Sequence, residues 1–502
     1  MINIGKKCLA ALLAASMVFG VTGCGKQKKA KKPYVQSTAE VKNGTAKAEG
    51  KGKQQSEVPL IIGCGRLDKN FNPFLAQAAS DEQVMNLTQT KLFDTDRAGR
   101  LVEKGIDGEL REYNDENYTY YGIADIKKAR RTKANYTVYR ITIRDDLLFS
   151  DGQPITIDDV IFSLYAFCDN DYDGNVQLKS SNIRGLLNYQ ANNARAESYT
   201  DKQVKKYIRK KPAALQKWMQ KHSSDESGYE SALERQARYL MAKQAKKKTR
   251  VNSIEGIKRL NDYELRIYTT GYDSRFEEKL QIPICPLHYY GDTTKYSYNA
   301  NKFGFKRGDL SAIRANKSSP VGAGAYRFVK YDSGIAYFMA NELYYQGCPK
   351  ITYVQLKDLT KLFKDEDLTG AKLAEEMKGQ TVDVASLALT QSDLEAIGEI
   401  NGNGKMSGNE INTCQSANAS YAYWGLNPYR VCINNEPFSE QSAALRHAIA
   451  MVVSACRGVQ METEGAKLTS VNAQAAKDSW LSPEQPNEDK LCLSLIHISE
   501  PT

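Results

Sequence analysis

Residues 147–163 read LLFSDGQPITIDDVIFS and combine a turn with the start of a helix. Asp151-Gly152 is a dipeptide typical of turns. Thr156 is suited to cap the next helix, because its hydroxyl oxygen accepts an unpaired backbone N–H. Asp158 and Asp159 then place negative charge in the first turn, where the helix dipole favours it. One face of the predicted helix is apolar and is formed by Val160, Ile161, Leu164 and Phe167.

On either side of this stretch, strand and helix patterns alternate. Residues 58–64 form a short apolar run with β-branched residues, which predicts a buried strand. Apolar residues at every second position predict a half-buried strand over residues 139–143. A helix is predicted over residues 81–93, with Ser80 as its N-cap.

Two turn sequences predict β-hairpins. Asn261-Asp262 separates two short strand patterns, and residues 332–334 (Asp-Ser-Gly) do the same further along the chain. Leu445, Ala448 and Val452 lie at helical spacing near the end. Since strands and helices are mixed throughout, the sequence predicts an α/β (mixed α+β) fold.

Residues 200–250 differ from their surroundings because they are rich in Lys and Arg. Large apolar residues recur at roughly helical intervals, namely Leu215, Trp218, Met219, Leu233, Tyr239 and Leu240. We therefore predict a charged helical insertion. Two interpretations are open: a surface for a partner, or a solvated helical hairpin with one face packed on the main body.

The amino-terminal residues have the pattern of an export signal. Lys6 and Lys7 precede an apolar run over residues 8–21, which is shorter than the ~20 residues that span a bilayer. Residues 21–24 (Val-Thr-Gly-Cys) resemble the lipobox of exported lipoproteins, in which the cysteine thiol receives a diacylglyceryl group and becomes the mature N-terminus. Residues 1–24 are thus predicted to be a lipoprotein signal peptide with Cys24 lipidated. The alternative is an ordinary signal peptide.

Residues 25–57 are predicted to be a flexible Lys-rich tether. They hold nine Lys and three Glu and almost no large aliphatic residue, so they cannot bury enough apolar surface to fold. Their positive charge either attracts anionic lipid headgroups or only keeps the tether solvated. Nucleic-acid binding is not expected, because the charge lies in a segment with one tyrosine.

The sequence lacks the motifs of common enzymes and metal sites. It contains no H-E-x-x-H, G-x-S-x-G or Walker A motif, and its cysteines include no C-x-x-C pair. We therefore expect no catalytic residue, metal or cofactor. We also expect that the protein is not an enzyme. Most cysteines are expected to be small buried apolar residues. Residues 169–174 resemble half of a calcium loop, but Ser180 replaces the bidentate glutamate, and a plain turn is the alternative.

Several segments together resemble the extracellular solute-binding proteins of family 5, the lipoproteins that deliver peptides or nickel complexes to ABC importers. The most specific is residues 147–163, in which F-S-D-G precedes a capped helix. The others are residues 254–268, 282–289, 319–326, 343–350 and 444–449. In residues 319–326, Ala325 replaces the proline that is usual in the family.

The resemblance implies a two-lobed, periplasmic-binding-protein-like clamshell with the ligand between the lobes. Residues 58–325 would form lobe one, including the insertion near residues 200–250. Residues 326–492 would form lobe two, which is expected to be truncated. Residues 493–502 resemble the translation of a sequencing adapter and are expected to be an artefact.

The same resemblance implies candidate ligand-binding residues. Leu67 and Asp68 lie where the family's first strand leaves lobe one beside the cleft. Tyr423, Trp424 and Asn427 lie in a segment that resembles a strand near the crossover in lobe two. Core or surface roles are the alternative for each of these five residues.

The expected function is that of a lipid-anchored receptor on the extracytoplasmic face of the cell membrane. It would capture oligopeptides or dipeptides as a monomer and deliver them to an ABC permease with its cytoplasmic ATPase. One alternative is a receptor that senses peptides without transport. Another is a surface lipoprotein that hydrolyses peptides or wall fragments, although the sequence contains no catalytic constellation for it.

Overall fold

A computed structural model describes residues 58–463, except positions 114, 223–228, 247, 363–368, 387–390 and 414–424. Strands and helices are mixed along this part of the chain, which confirms the predicted mixed α/β class. The predicted signal peptide, Cys24, the tether and the carboxyl-terminal tail lie outside the described residues.

The strands of the described residues belong to four sheets. In chain order they are β1 (Leu60–Cys64), β2 (Glu109–Tyr113), β3 (Glu116–Tyr120), β4 (Ala124–Arg131), β5 (Tyr136–Ile143), β6 (Ile257–Arg259), β7 (Glu264–Thr270), β8 (Tyr296–Ser297), β9 (Lys302–Phe303), β10 (Tyr326–Asp332), β11 (Ile335–Ala340), β12 (Tyr353–Asp358) and β13 (Val384–Ala385). Of these, β2–β3 and β8–β9 are small two-stranded sheets.

The described α-helices vary from about one turn to nearly seven turns. In chain order they are α1 (Ala79–Thr88), α2 (Ile157–Phe167), α3 (Leu186–Ala191), α4 (Asp201–Arg209), α5 (Ala213–Lys221), α6 (Tyr229–Gln244), α7 (Leu287–Tyr290), α8 (Ser311–Ala315), α9 (Leu359–Leu362), α10 (Gly370–Lys378), α11 (Gln391–Ile400) and α12 (Glu440–Thr463). The last of these confirms the helix predicted around Leu445.

An antiparallel sheet in the order β4-β5-β7-β6 packs with α2 around the largest hydrophobic core. The hairpin of β6 and β7 turns at Asn261-Asp262, as predicted. Tyr139 and Ile141 from β5 and Leu164 from α2 are fully buried in this core. The alternating and helical apolar patterns of the sequence therefore both face one common interior.

A second sheet has the order β10-β11-β12-β1-β13. Residues 332–334 join β10 to β11 in the predicted hairpin, and β1 runs parallel to β12 and β13. The predicted lobe one, residues 58–325, includes β1, whereas β1 pairs with strands that follow residue 325. The reason is packing, because Cys64 of β1 shares a separate apolar cluster with Phe338 and Leu356. The lobe boundary at residue 325 stays a prediction.

The first helix differs from its prediction at both ends. α1 begins after Ala78, which makes no side-chain cap, so Ser80 lies within the first turn and is not the N-cap. The helix ends at Thr88 because the next residues pair with another segment. The Leu92 N–H donates to the Ile282 carbonyl at 2.8 Å, and the Ile284 N–H donates to the Thr90 carbonyl at 3.0 Å. This pairing replaces the last predicted turn of helix.

The predicted start of α2 is confirmed in detail. Thr156 is the N-cap and forms a capping box, in which its hydroxyl accepts from the helix backbone and Asp159 accepts from the Thr156 N–H at 2.9 Å. The other oxygen of Asp159 accepts from the Leu287 N–H at 3.0 Å. One buried carboxylate therefore both caps α2 and joins it to α7.

We expect Asp159 to make stability depend on pH between about 4 and 6. Burial raises the pKa of Asp159 to about 6 in the folded chain, against about 3.9 in an unfolded chain. The unfolded state therefore releases this proton first, and stability falls as the pH rises through that window, by up to about 3 kcal/mol. Urea unfolding of wild type and Asp159→Asn from pH 4 to 7 tests this. A stability difference between the two chains that does not change with pH would contradict it.

The segments that resemble family 5 meet in space as parts of the scaffold. The Ser150 N–H donates to the Gly322 carbonyl at 2.9 Å, and His288 Nε2 donates to Asp151 at 2.7 Å. The Ile157 N–H donates to the Asp262 carbonyl at 2.8 Å. The sequence segments around residues 150, 260, 288 and 322 therefore hold one another in place.

The predicted insertion is helical. Its described residues form three helices, whereas one interpretation of the sequence was a hairpin of two helices. Both α4 and α5 pack on α6, and α6 packs on α3 of the main body. Val204, Leu215 and Ala237, one from each helix, are fully buried. Each helix of the insertion therefore contributes a fully buried apolar side chain.

Candidate functional site

A cavity of about 400 Å³ lies between the two main hydrophobic clusters. It is lined by residues 73–76, one face of α1, residues 89–94, the loop 172–176, Pro283 and the pair Tyr344 and Tyr345. Phe74, Tyr172 and Tyr345 belong to or pack on the larger core, whereas Met85 of α1 packs on the smaller one. The cavity is therefore built from both halves of the described fold.

The wall formed by α1 is fixed by the segment that leads into β10. The Gln89 side chain donates to the Val321 carbonyl at 3.3 Å, and the Thr90 hydroxyl donates to the Ala323 carbonyl at 2.7 Å. The Gly324 N–H donates to the Thr88 carbonyl at 2.9 Å. These contacts hold the end of α1 against the chain that enters the second sheet.

Glycines make this close approach possible. A Cβ atom on Gly322 would lie 2.3 Å from the Thr88 carbonyl oxygen, and one on Gly324 would lie 2.4 Å from the Leu87 carbonyl oxygen. Both obstructing atoms are backbone, which cannot rotate away. Packing thus requires glycine at positions 322 and 324. This Gly-x-Gly spacing lacks the third glycine of the motif that binds dinucleotides.

The loop after α2 uses its carboxylates for structure. Asp169 accepts from the Gly308 N–H at 2.9 Å, and Asp171 accepts from the Leu310 N–H at 2.8 Å. Arg314 donates to both Asp171 and Asp173. These bonds agree with the plain-turn alternative for residues 169–174. In the described part of the chain, no group of three or more His, Cys, Asp or Glu is arranged to hold a metal ion.

Two tyrosines after β11 belong to the cavity lining. The rings of Tyr344 and Tyr345 lie edge to face with centroids 4.9 Å apart. Their loop begins at Asn341, whose side chain donates to the Gly324 carbonyl at 2.8 Å. The Arg144 guanidinium lies 5.8 Å from the centre of the Tyr345 ring. The tyrosines are therefore positioned by the same glycine segment that holds α1.

Asp94 brings a negative charge to this cavity. Burial raises the pKa of its carboxyl, and the nearby Lys91 ammonium acts in the opposite direction. Burial raises the pKa of Tyr344 and Tyr345, and the Asp94 charge adds to the rise at both rings. Asp94 and the two tyrosines line the same cavity. The arrangement of a partly desolvated carboxylate beside two aromatic rings suits a cationic group.

Three of the predicted site residues, Leu67, Asp68 and Asn427, do not line this cavity. Leu67 is 3% exposed and lies in the smaller core, and its N–H donates to Asp358 at 3.2 Å. Asp68 forms a surface ion pair with Arg66 at 3.1 Å. Asn427 accepts from the Tyr429 and Arg430 N–H groups and shapes a turn.

Tyr423 and Trp424 lie outside the described residues, so their predicted role stays a prediction. Sequence reasoning missed the cavity residues Asp94, Tyr344 and Tyr345. The two tyrosines lie inside the segment 343–350 that resembles the family, which is a signal that could have pointed to them. Asp94 carries no such signal, because only tertiary packing places it beside the tyrosines.

Three of the cysteines that the structure describes lie in the protein interior and form no disulfide. Cys64, Cys168 and Cys285 are buried and free, and burial raises the pKa of each thiol. They therefore act as small apolar residues. Among the described helices, none has the length and apolar character needed to cross a bilayer.

Solved structures with similarity to the chain include three binding proteins. The oligopeptide-binding protein AppA from Bacillus subtilis, in complex with a nonapeptide, has 15% identity and a TM-score of 0.49, with 87% of this chain and 64% of that chain covered. NikZ from Campylobacter jejuni, in complex with Ni(L-His), has 20% identity and a TM-score of 0.36, with 68% of this chain and 45% of that chain covered. Lactococcal OppA, with an endogenous peptide, has 14% identity and a TM-score of 0.41, with 69% of this chain and 47% of that chain covered.

The chain thus spans between 45% and 64% of the length of these three proteins. No curated protein is significantly similar to it in sequence. The family described as "Bacterial extracellular solute-binding proteins, family 5 Middle" matches residues 123–454, well over half of the chain. This is a family of binding proteins and not of enzymes, and its description as extracellular agrees with an extracytoplasmic location. The chain belongs to the extracellular solute-binding proteins of family 5.

Proposed function

We propose that this chain is the receptor of an ABC importer, which captures oligopeptides or dipeptides and delivers them to a membrane permease driven by a cytoplasmic ATPase. The observation that carries the proposal is the family match over residues 123–454. A lipid on Cys24 holds the receptor at the extracytoplasmic face of the cell membrane, and the tether of residues 25–57 lets it move. The receptor acts as a monomer whose two lobes close on the ligand.

Within this proposal, the cavity beside α1 receives a cationic group of the ligand. Its volume of about 400 Å³ is in the range of small-molecule sites, and its lining mixes aromatic residues with a few polar ones. The Asp94 carboxylate attracts an ammonium or guanidinium group, and the rings of Tyr344 and Tyr345 add a cation–π contribution. Every peptide with a free N-terminus, and every lysine or arginine side chain, offers such a group.

A peptide-retention experiment tests the proposed function. The purified chain is mixed with a tryptic digest of casein, separated from free peptides by gel filtration, and the retained peptides are identified by mass spectrometry. We expect intact peptides to be retained and enriched over the input. Cleaved products would support the hydrolase alternative, and a retained fraction with the composition of the input would contradict the receptor proposal.

We expect Asp94→Asn to weaken the retention of peptides about tenfold, since a charge-assisted hydrogen bond contributes about 1.5 to 3 kcal/mol. The same casein digest is used, and the affinity of the best retained peptide is measured by titration calorimetry. Asp107→Asn is the matched control, because Asp107 is an exposed carboxylate outside the cavity lining. Equal affinities of wild type and Asp94→Asn would exclude the cavity from the ligand site while leaving the receptor proposal in place.

A further inference from the structure

The positive charge of the folded part of the chain is concentrated in the helical insertion. Residues 200–250 hold 15 Lys and Arg and 5 Asp and Glu, a net charge of +10, which equals the net charge of the whole chain. Residues 1–57 carry a net charge of +8, so the remaining residues outside the insertion sum to −8. A solvated surface usually mixes charges of both signs, so a segregation of this size calls for a physical reason.

The insertion is held firmly on the main body by its inner side. The Arg235 guanidinium in α6 donates to the Lys179 carbonyl at 2.9 Å and to the Gln190 side chain at 2.8 Å. The Asn193 side chain donates to the Ala242 carbonyl at 2.8 Å. Because α6 faces the body, the outer helices α4 and α5 carry the charge toward solvent.

The outer side of the insertion is a continuous basic surface. We define this basic surface as Lys202, Lys205, Lys206, Arg209, Lys210 and Lys211. All six side chains are exposed, and no carboxylate of the described residues forms an ion pair with any of them. α5 adds the exposed Lys217 and Lys221.

The spacing of these residues disfavours the helix that carries them. Lys202 lies four residues before Lys206, and Lys205 lies four residues before Arg209, so like charges are neighbours on the surface of α4. Such pairs destabilise a helix, although the basic residues of the last turn are favourable for the helix dipole. A polyanion at this surface would remove the repulsion.

We propose that the basic surface docks the receptor on the anionic headgroups of the bilayer to which it is anchored. This inference rests on the proposed function, because the lipid on Cys24 keeps the bilayer near. A flexible chain of the length of residues 25–57 would have a root-mean-square reach of about 30 Å, which would keep the folded chain near the membrane. Attraction of basic clusters to anionic lipid is short-ranged, since salt screens it within about 10 Å.

Docking is measured on the full chain by amide hydrogen exchange on two kinds of vesicle. One is pure phosphatidylcholine and the other contains phosphatidylglycerol as well. Flotation with phosphatidylcholine vesicles reports the lipid anchor alone. On the anionic vesicles we expect amides of residues 201–221 to exchange about tenfold more slowly than on phosphatidylcholine, and the difference to disappear at high salt.

Two fourfold variants with the same change in net charge make the test specific. The first changes Lys202, Lys205, Lys206 and Arg209 to Gln, which keeps helix propensity nearly constant. The second changes the exposed Lys127, Lys133, Lys302 and Lys317 to Gln. We expect the first variant to lose the protection on anionic vesicles and the second to keep it.

Several outcomes would overturn the inference. The first is an equal rate of amide exchange on both kinds of vesicle. The second is an equal loss of amide protection in both fourfold variants. The third is protection of residues 201–221 by a soluble wall polymer but not by lipid. If the chain retains peptides and floats with phosphatidylcholine vesicles, yet its amides gain no protection on anionic vesicles, the proposed function stands and the docking inference is contradicted. If the chain floats with neither kind of vesicle, both the lipid anchor and the docking are contradicted.

Discussion

Gly324→Ala is expected to lower the free energy of unfolding by about 3 kcal/mol, at the upper end of the usual cost of overpacking. The new Cβ would lie 2.4 Å from the Leu87 carbonyl oxygen and 2.5 Å from the Thr88 carbonyl carbon. Neither atom can move without shifting the end of α1. The Gly324 N–H also donates to the Thr88 carbonyl, so a shift would weaken that bond as well.

The measurement is urea unfolding followed by tryptophan fluorescence and circular dichroism. Gly379→Ala is the matched control, because Gly379 has φ −71° and its nearest obstruction would lie 3.4 Å away, an ordinary contact. We expect the control to stay within about 0.5 kcal/mol of wild type. A Gly324→Ala chain as stable as the control would mean that α1 and the crossing segment separate easily.

Asn72→Ala is expected to destabilise the chain by about 4 kcal/mol, since it leaves three backbone groups, two buried and one partly buried, without their side-chain partner. The side chain is fully buried. It donates to the Ile313 carbonyl at 2.7 Å and the Asn316 carbonyl at 3.0 Å, and it accepts from the Phe74 N–H at 2.9 Å. Asn72 thus ties the segment before α1 to α8.

Asn252→Ala is the matched control for this change, because Asn252 is exposed. We expect it to leave the urea midpoint almost unchanged. Asn72→Ala is measured in the same way, together with peptide retention at a temperature where the variant is folded. A loss of stability below about 1 kcal/mol would show that water replaces the three hydrogen bonds.

Both substitutions lie close to the candidate cavity. Pro73 and Phe74, which follow Asn72, line it, and Gly324 holds both α1 and the loop of Tyr344. The segments that resemble the family therefore serve two purposes: Gly322 and Gly324 hold the cavity wall, whereas Tyr344 and Tyr345 belong to its lining. Asp94 lies outside these segments, so the family signature in the sequence does not indicate it.

The amino-acid sequence by itself determined the local features of this protein. The capping box of Thr156 and Asp159, the hairpin at Asn261-Asp262 and the helical character of the insertion all follow from residues within about four positions of one another. Such features depend on local sterics and local hydrogen bonds, which a single sequence states directly. The family also followed from short segments, because each encodes a turn, a cap or a close contact.

Only the tertiary structure decided where distant segments meet. α1 ends at Thr88 because residues 90–92 pair with 282–284, and β1 joins the sheet of β12 instead of remaining with its sequence neighbours. The cavity exists because Asp94 and Tyr344 are brought together by this long-range packing. Such long-range contacts depend on how all apolar faces of the chain are buried together, and a local pattern of residues does not predict them.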